Sequence, residues 1–595
     1  MSRRFEEKQR AARYFHENQV PKQLETLLNE MFHKQPDDIY GYMAEYFGAL
    51  SKPAAISEIK LEPVLSSFGY QTIKSTISCI VNGVSKEICQ VQHFNDDRPP
   101  AQKLATARSS AKQSKKDGGG GGGKGKNTKK DPTPNTEEAI VEAPLFPKYI
   151  FNVNNALTRM NEMIPHLVGC CLETKTIDEQ LHQLTEQMKN EKLNELQQEL
   201  NPPSPIEVEG GIGGEEGAVQ ISIIPSPSSE QTTEQPLKTC VSAKDIMEIT
   251  TELNASSFFL SFLSAASKSR LMGDPLYEQF LSSAKKENLT IPMPAITFFS
   301  CCQVTPGKVN MVRELMVLFK PNADFKEGVE QVIKLYHAFE KALQAKYGAT
   351  GIVKDSRGLL TPTFDKVEQI FEVLTQTCRA EFEEREFKDL FDIILDVGAN
   401  EFFDPEKKKY ELCIGSMKST DEVVALYQTW IEQFSIVSLI DPFSTLDPSK
   451  KTVYDSLATQ CYIISSQVSG FEQCHLEMDE RTIDGMLLQP EVHSSTVSET
   501  VENLLPLHEK DGILMMNDEW GLVQHSTASV DLSIVFGATF IRVTTPCGAG
   551  SNSLQYMLDI KESLPVDNES FDDERSYIFR SKVPDEEAAV QAPVE

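Results

Sequence analysis

FDIILDV (391–397), FSIVSLI (434–440), CYIIS (461–465), GMLLQ (485–489), GILMM (512–516) and TFIRVTT (539–545) are six apolar runs, each followed by polar residues and then a helical period. Runs this short suit strands covered on both faces better than buried helices. Strand-then-helix units repeated in this way predict a parallel sheet, and so many in one stretch predict a closed barrel. In such a barrel the reacting groups stand at the C-terminal ends of the strands. That nominates Asp396, Asp441, Ser465, Gln489, Asn517 and Arg542.

Outside this region the pattern changes. Residues 57–93 read as strands, with VLSSFGY, IKSTISCIV and KEICQVQ arranged around the turn Asn82-Gly83. Residues 150–186 and 242–285 read as helices. Between them lie two stretches expected to be disordered: residues 96–148, with the run Gly118 to Gly123, and residues 187–237, which pass from a polar Glu/Gln run into PSPSSEQTTEQP. Neither can bury enough apolar surface to offset its ordering entropy. GGGGGGKGK contains G-x-x-x-x-G-K, but Gly125 follows where a phosphate loop needs Ser or Thr, so this is linker.

The whole 595-residue chain carries a net charge of -30. Such a surface repels phosphate, which argues against nucleic acid as a partner; the lysines at 115, 116, 124, 126, 129 and 130 read as part of a solvated tether. The opening MSRRFEEKQRAARYF has no apolar signal core, and no apolar run is long enough to span a bilayer. The 12 cysteines include no C-x-x-C pair. A soluble, cytoplasmic protein with reduced thiols and no membrane partner is expected.

Several segments resemble the enolase family in order and spacing. ILDVGANEFFD (394–404) resembles its metal-binding aspartate strand, and LYQTWIEQFSIVSLIDPF (426–443) its helix and I-E-D-P-F strand. LYHAFEKALQAKYGATGIVKDSRGLLTP (335–362) is similar to the helix leading to the D-E-G-G-F-A-P loop. IPMPAITFFSCCQVTPGKVNMVRELMVLF (291–319) is similar to P-x-P-A-F-N…Q-E-F-M, and ATFIRVTTPCGAGSNSLQYMLDI (538–560) to T-G-Q-I-K-T-G-A-P-C and its helix. Upstream, ISEIKLEPVLSSFGYQTIKSTISCIVNG (56–83), ALTRMNEMIPHLV (156–168), TIDEQLHQLTEQM (176–188) and FFLSFLSAASKSRLMGDPLYEQFL (258–281) resemble the family's smaller domain. The resemblance implies an α/β architecture: an enolase-like N-terminal α+β domain over 55–290, interrupted by the two inserts, followed by a β/α (TIM-type) barrel over 291–562. Residues 563–595 form an acidic tail. The family's subunits associate, so a homodimer or hetero-oligomer through this fold is expected.

The same resemblance implies a reaction, the dehydration of 2-phosphoglycerate to phosphoenolpyruvate by a phosphopyruvate hydratase, and a site to be checked residue by residue. The family holds magnesium with three carboxylates, abstracts a proton with lysine and assists loss of hydroxide with glutamate. Asp396 stands at the first metal position. The second is Ile440, and its neighbour Asp441 is expected on the opposite face of the strand; the third is Ser466. The base position is Gln489, an amide that accepts no proton, and the acid position is Ser356. Thr305 and Glu519 replace two histidines, whereas Glu314 keeps the Q-E-F-M glutamate and Arg542 keeps the charge of a second lysine. Magnesium needs hard oxygen ligands in octahedral array, so its binding is expected to be weak or absent. The expectation is a degenerate enolase serving as a structural or scaffold body; the alternative is a divergent but active lyase in flagellar glycolysis.

The first 54 residues carry a separate signal. In VPKQLETLLNEMFHKQPDDIYGYMAEYFGAL (20–50), Leu24, Leu27, Leu28 and Met31 form one helical stripe. Gln35-Pro36-Asp37-Asp38 breaks the helix and caps a second, on which Ile39, Tyr42, Met43, Tyr46, Phe47 and Leu50 repeat the stripe. The spacing and the Q-P-x-D…A-E-Y-F ending resemble the dimerisation/docking domain of type II regulatory subunits of cAMP-dependent protein kinase and its Dpy-30-like relatives. That resemblance implies an antiparallel dimer that binds an amphipathic anchoring helix. Joined to an enolase-like body, it implies a protein tethered in a sperm flagellum or cilium.

Overall fold

The computed structural model describes residues 2–66, 69–93, 151–200, 242–280, 290–301, 309, 311–348, 352–354, 358–362, 364–413, 415–517 and 527–563. Thr305, Ser356, Glu519, the stretch 96–148, residues 201–237 of the second expected insert and the tail after 563 lie outside them.

Three helices open the chain: α1 (Ser2–Glu17), α2 (Val20–Lys34) and α3 (Ile39–Ala49). The break between α2 and α3 has the expected chemistry. Gln35 ends α2 in the left-handed region, and the Asp38 carboxylate caps α3 by accepting from the Gly41 N–H at 2.8 Å. α2 and α3 are laced by Tyr42 Oη donating to Glu30 and Tyr46 Oη donating to Gln23, both at 3.0 Å.

β1 (Ala55–Leu65), β2 (Gln71–Val81) and β3 (Val84–Gln92) form an antiparallel meander. Asn82 and Gly83 turn β2 into β3 with positive φ at both, the pairing a two-residue hairpin turn requires. Among the described residues of VLSSFGY, Val64 and Leu65 lie in a strand, as the end of β1. Helices Val153–Leu167 and Ala243–Met272 pack on this sheet, and a helix between them in sequence, Thr174–Leu200, packs on both. Thr174–Leu200 corrects one boundary: residues 187–200, expected to be disordered, are helical. Their Glu, Gln, Lys and Leu are strong helix formers, and Lys189–Glu186 and Lys192–Glu195 pair one turn apart.

The barrel is built from β4 (Met293–Ser300), β5 (Glu314–Phe319), β8 (Phe391–Asp396), β12 (Ile436–Ile440), β13 (Tyr462–Ser465), β14 (Gly485–Leu488), β15 (Ile513–Asn517) and β16 (Phe540–Val543), closed by pairing of β16 with β4. β6 (Ile352–Lys354) and β7 (Leu360–Pro362) extend β4 as a ribbon; β9 (Phe403–Asp404), β10 (Lys409–Cys413) and β11 (Ser416–Lys418) make a small separate sheet. Every residue of the eight barrel strands is buried, which is why each reads as a continuous apolar run. One strand departs from the all-parallel expectation: β5 runs antiparallel to both β4 and β8. No helix separates β4 from β5 among the described residues, and a parallel neighbour would need such a crossover.

The barrel helices are cut to length by their caps. Ser419 and Glu422 close a reciprocal capping box on Thr420–Phe434, the helix that delivers β12, an arrangement that contributes about 1 kcal/mol. The smaller domain is tied to the barrel by Asp178. Its carboxylate accepts from Ser261 Oγ at 2.6 Å and from Ser498 N at 3.1 Å, with Ser498 Oγ as a further donor. Burial pushes the Asp178 carboxyl above the usual range against the pull of these bonds.

Candidate functional site

The C-terminal ends of β8, β12, β13, β14, β15 and β16 gather the nominated residues at one mouth, with Asn517 beside Arg542, and the antiparallel β5 brings its first residue, Glu314, to the same level opposite Asp396. Asp396 ends β8 and is fully buried. Glu314 pairs with Arg542 of β16, and Arg542 Nη1 lies 3.7 Å from Asp396 Oδ2. The two charged positions expected to persist in kind are thus adjacent to the persisting aspartate.

Ile440 is the last residue of β12, fully buried in the hydrophobic core, and offers no ligand atom. Asp441 is not on the far side as strand alternation predicts. It follows the strand with φ of 47°, a left-handed conformation that Asp tolerates and that ends the pleat. Its backbone is held at both ends, N–H to Ile464 O and O to Ala399 N, each at 2.9 Å. The carboxylate therefore turns back over the mouth. There it accepts from Ser466 N at 2.8 Å, from Ser466 Oγ, and from Gln467 Nε2 at 3.3 Å. Ser466, at the third metal position, thus serves as a donor to Asp441. Gln489 follows β14 as the residue before the short helix Pro490–His493, and it is exposed.

The residue that sequence reasoning missed is Arg313. Its Nε and Nη2 donate to Asp396 Oδ1 at 2.9 and 2.7 Å, and Nη2 also donates to Asp441 Oδ2 at 3.2 Å. Nη1 faces Glu401 at 3.6 Å. The backbone is fixed as well, because Arg313 N–H donates to Asp396 O at 2.8 Å. Burial opposes the charge, but Asp396 and then Asp441 outweigh it and hold the guanidinium above the ordinary arginine range. A signal was present in the sequence: Arg313 stands where the Q-E-F-M motif has glutamine.

Magnesium does not fit this donor set. Of the three positions that the resemblance assigns to ligands, one is a carboxylate, one a hydrocarbon and one a hydroxyl. The carboxylate and its neighbour Asp441 are both already bound by a fixed cation. Among the described residues no group of three or more His, Cys, Asp or Glu is placed to hold a metal.

A barrel with one reversed strand, acidic and basic groups at its strand ends and a smaller α+β domain before it is an enolase-like arrangement, and over its barrel the chain is similar to the enolase family. The family "Enolase, C-terminal TIM barrel domain" matches residues 288–566. Over nearly the whole chain the similarity is to Enolase 4: 26% identity with the Mus musculus protein, covering 90% of this chain and 86% of that one. The Homo sapiens Enolase 4 is 24% identical, covering 96% of this chain and 90% of its own. Enolase from Solanum lycopersicum is 25% identical over 46% of this chain and 62% of its own length.

Proposed function

We propose that this chain is an enolase-fold protein that has given up 2-phosphoglycerate dehydration and serves as a structural or scaffold body, tethered through residues 20–50. The observation that carries the reading is Arg313 spanning Asp396 and Asp441 where the family's chemistry needs a divalent cation. The enediolate formed in that chemistry requires charge stabilisation and a nearby base. Gln489 supplies no base, Ile440 no ligand, and on this reading Ser356, Thr305 and Glu519 leave the acid and phosphate-binding positions without their usual groups. Losing one positioned acid or base costs roughly 10²–10⁴ in rate, and the loss of the metal adds to it.

On the same reading, magnesium binds the barrel mouth weakly or not at all, the enolase fold mediates a homodimer or hetero-oligomer, and the hairpin anchors the protein in the cytoplasm of a sperm flagellum or cilium. Among the described residues no helix is long and apolar enough to cross a membrane. The competing reading, a divergent active enolase of flagellar glycolysis, draws on the retained Glu314–Arg542 pair beside Asp396. A coupled assay for phosphoenolpyruvate on the purified full chain with magnesium decides between them. The expected result is no turnover above background. Turnover within about a hundredfold of an ordinary enolase, abolished by Asp396→Ala, overturns the proposal.

A further inference from the structure

We infer that Arg313 is a tethered replacement for a divalent cation, and that removing its side chain uncovers a cation site between Asp396 and Asp441. The inference deepens the reading of the barrel mouth given above, but its test reads stability rather than turnover, so the two can fail separately.

Three independent features support it. The guanidinium makes the contacts a bound ion would make, bridging an oxygen of each carboxylate from one side. A cradle is shaped to it: Gly398 has φ of 61°, and a Cβ there would lie 3.1 Å from Arg313 Cζ and Nε. The pocket also has acceptor capacity left over, because the buried Asp396 Oδ2 accepts no hydrogen bond among the described residues. Arg542 does not fill that need, being already engaged with Glu314 and 3.7 Å away.

Charge makes the substitution consequential. Asp396, Asp441 and Glu314 are buried carboxylates, and Arg313 and Arg542 are the guanidinium groups that face them. Without Arg313, Asp396 and Asp441 face each other across the vacated space with no counter-charge between them. Breaking a buried ion pair from one side is strongly destabilising because it strands the other charge. A hard divalent ion relieves this: magnesium is commonly held by one or two carboxylates with water completing its shell, and Ser466 Oγ adds an oxygen. The native arrangement differs from a metal site in one respect. Arginine stays charged at every working pH and cannot dissociate, so Asp396 and Asp441 keep a shared counter-charge whatever the ion concentration.

The experiment measures melting temperature on the full chain, with millimolar magnesium against potassium chloride of equal ionic strength. The native protein should be indifferent to magnesium. Arg313→Ala should melt lower without the ion and recover by about 2–4 °C with it. Adding Asp441→Asn to Arg313→Ala should raise the ion-free melting temperature above that of the single variant and abolish the magnesium response. If Arg313→Ala does not fold, the double variant decides, and it must be soluble and magnesium-indifferent. A native protein that responds to magnesium, a single variant that ignores it, or a double variant no better than the single one overturns the inference.

Discussion

Asp531 alone is expected to remove about 4 kcal/mol of folding stability as pH rises from about 4 to about 7. Its carboxyl is buried on the barrel helix Ala528–Phe536, where it accepts from Tyr556 Oη at 2.9 Å and from the backbone N–H of Tyr277 in the smaller domain. Burial dominates these two bonds and pushes the carboxyl from 3.8 up to about 7. Below pH 3.8 the group is protonated in both the folded and unfolded chains and costs nothing. Between the two values the unfolded chain releases a proton that the folded chain retains, so each rise in pH favours unfolding. Above about 7 the group is ionised in both states and the loss of stability is complete. Asp531→Asn keeps an oxygen for both donors and carries no charge. It should therefore melt several degrees above the native chain at pH 8, by less than half that margin at pH 5, and the two should converge only near pH 3.8. An unchanged gap between them at both pH values would mean that Asp531 does not titrate in this range.

The barrel was legible because strands covered on both faces must be apolar throughout, as GMLL and ILMM are. Direction was not. ELMVLF would read the same whether β5 ran up or down, and only the missing crossover decides it. The polar tract from 187 to 200 misled for a related reason: its composition lacks a core but suits a helix with a solvated face. At the site, Asp396 and Ile440 could be placed because each ends an apolar run. Asp441 was placed on the wrong face because alternation holds only while the pleat does, and its φ of 47° ends it. Arg313 was passed over because its partners are 83 and 128 residues away in the chain. No local spacing registers a long side chain reaching across a barrel mouth, and only its replacement of the Q-E-F-M glutamine hinted at a changed role.

Leu28→Asp is expected to weaken self-association of the N-terminal hairpins by more than about a hundredfold while leaving each hairpin folded. α1, α2 and α3 leave the apolar residues of the hairpin unequally covered: Leu27 is fully buried, but Leu28 is 55% exposed, Phe32 74% and Tyr40 82%. Leu24, Ile39, Phe47 and Leu50 are exposed as well. Large apolar side chains concentrated on so short a segment mark a surface that a partner covers. A second copy of the hairpin presents a matching stripe, and the Met and aromatic residues of α3 suit an adaptable groove for an amphipathic helix. Leu27 and Leu28, adjacent in sequence, therefore have separable roles. An aspartate at 27 enters the hairpin's own interior and should unfold it, whereas one at 28 meets water until a second copy arrives. At a two-fold interface the charge enters twice, and each unpaired buried carboxylate costs several kcal/mol. Sedimentation of the full chain, the Leu28→Asp chain and a chain lacking residues 1–54 separates this contact from any dimer made by the barrels. Circular dichroism of Leu28→Asp should keep its helix content, and titration with an amphipathic helical peptide should lose its signal. If the native and Leu28→Asp chains associate equally and bind the peptide equally, the exposed stripe is not the docking surface.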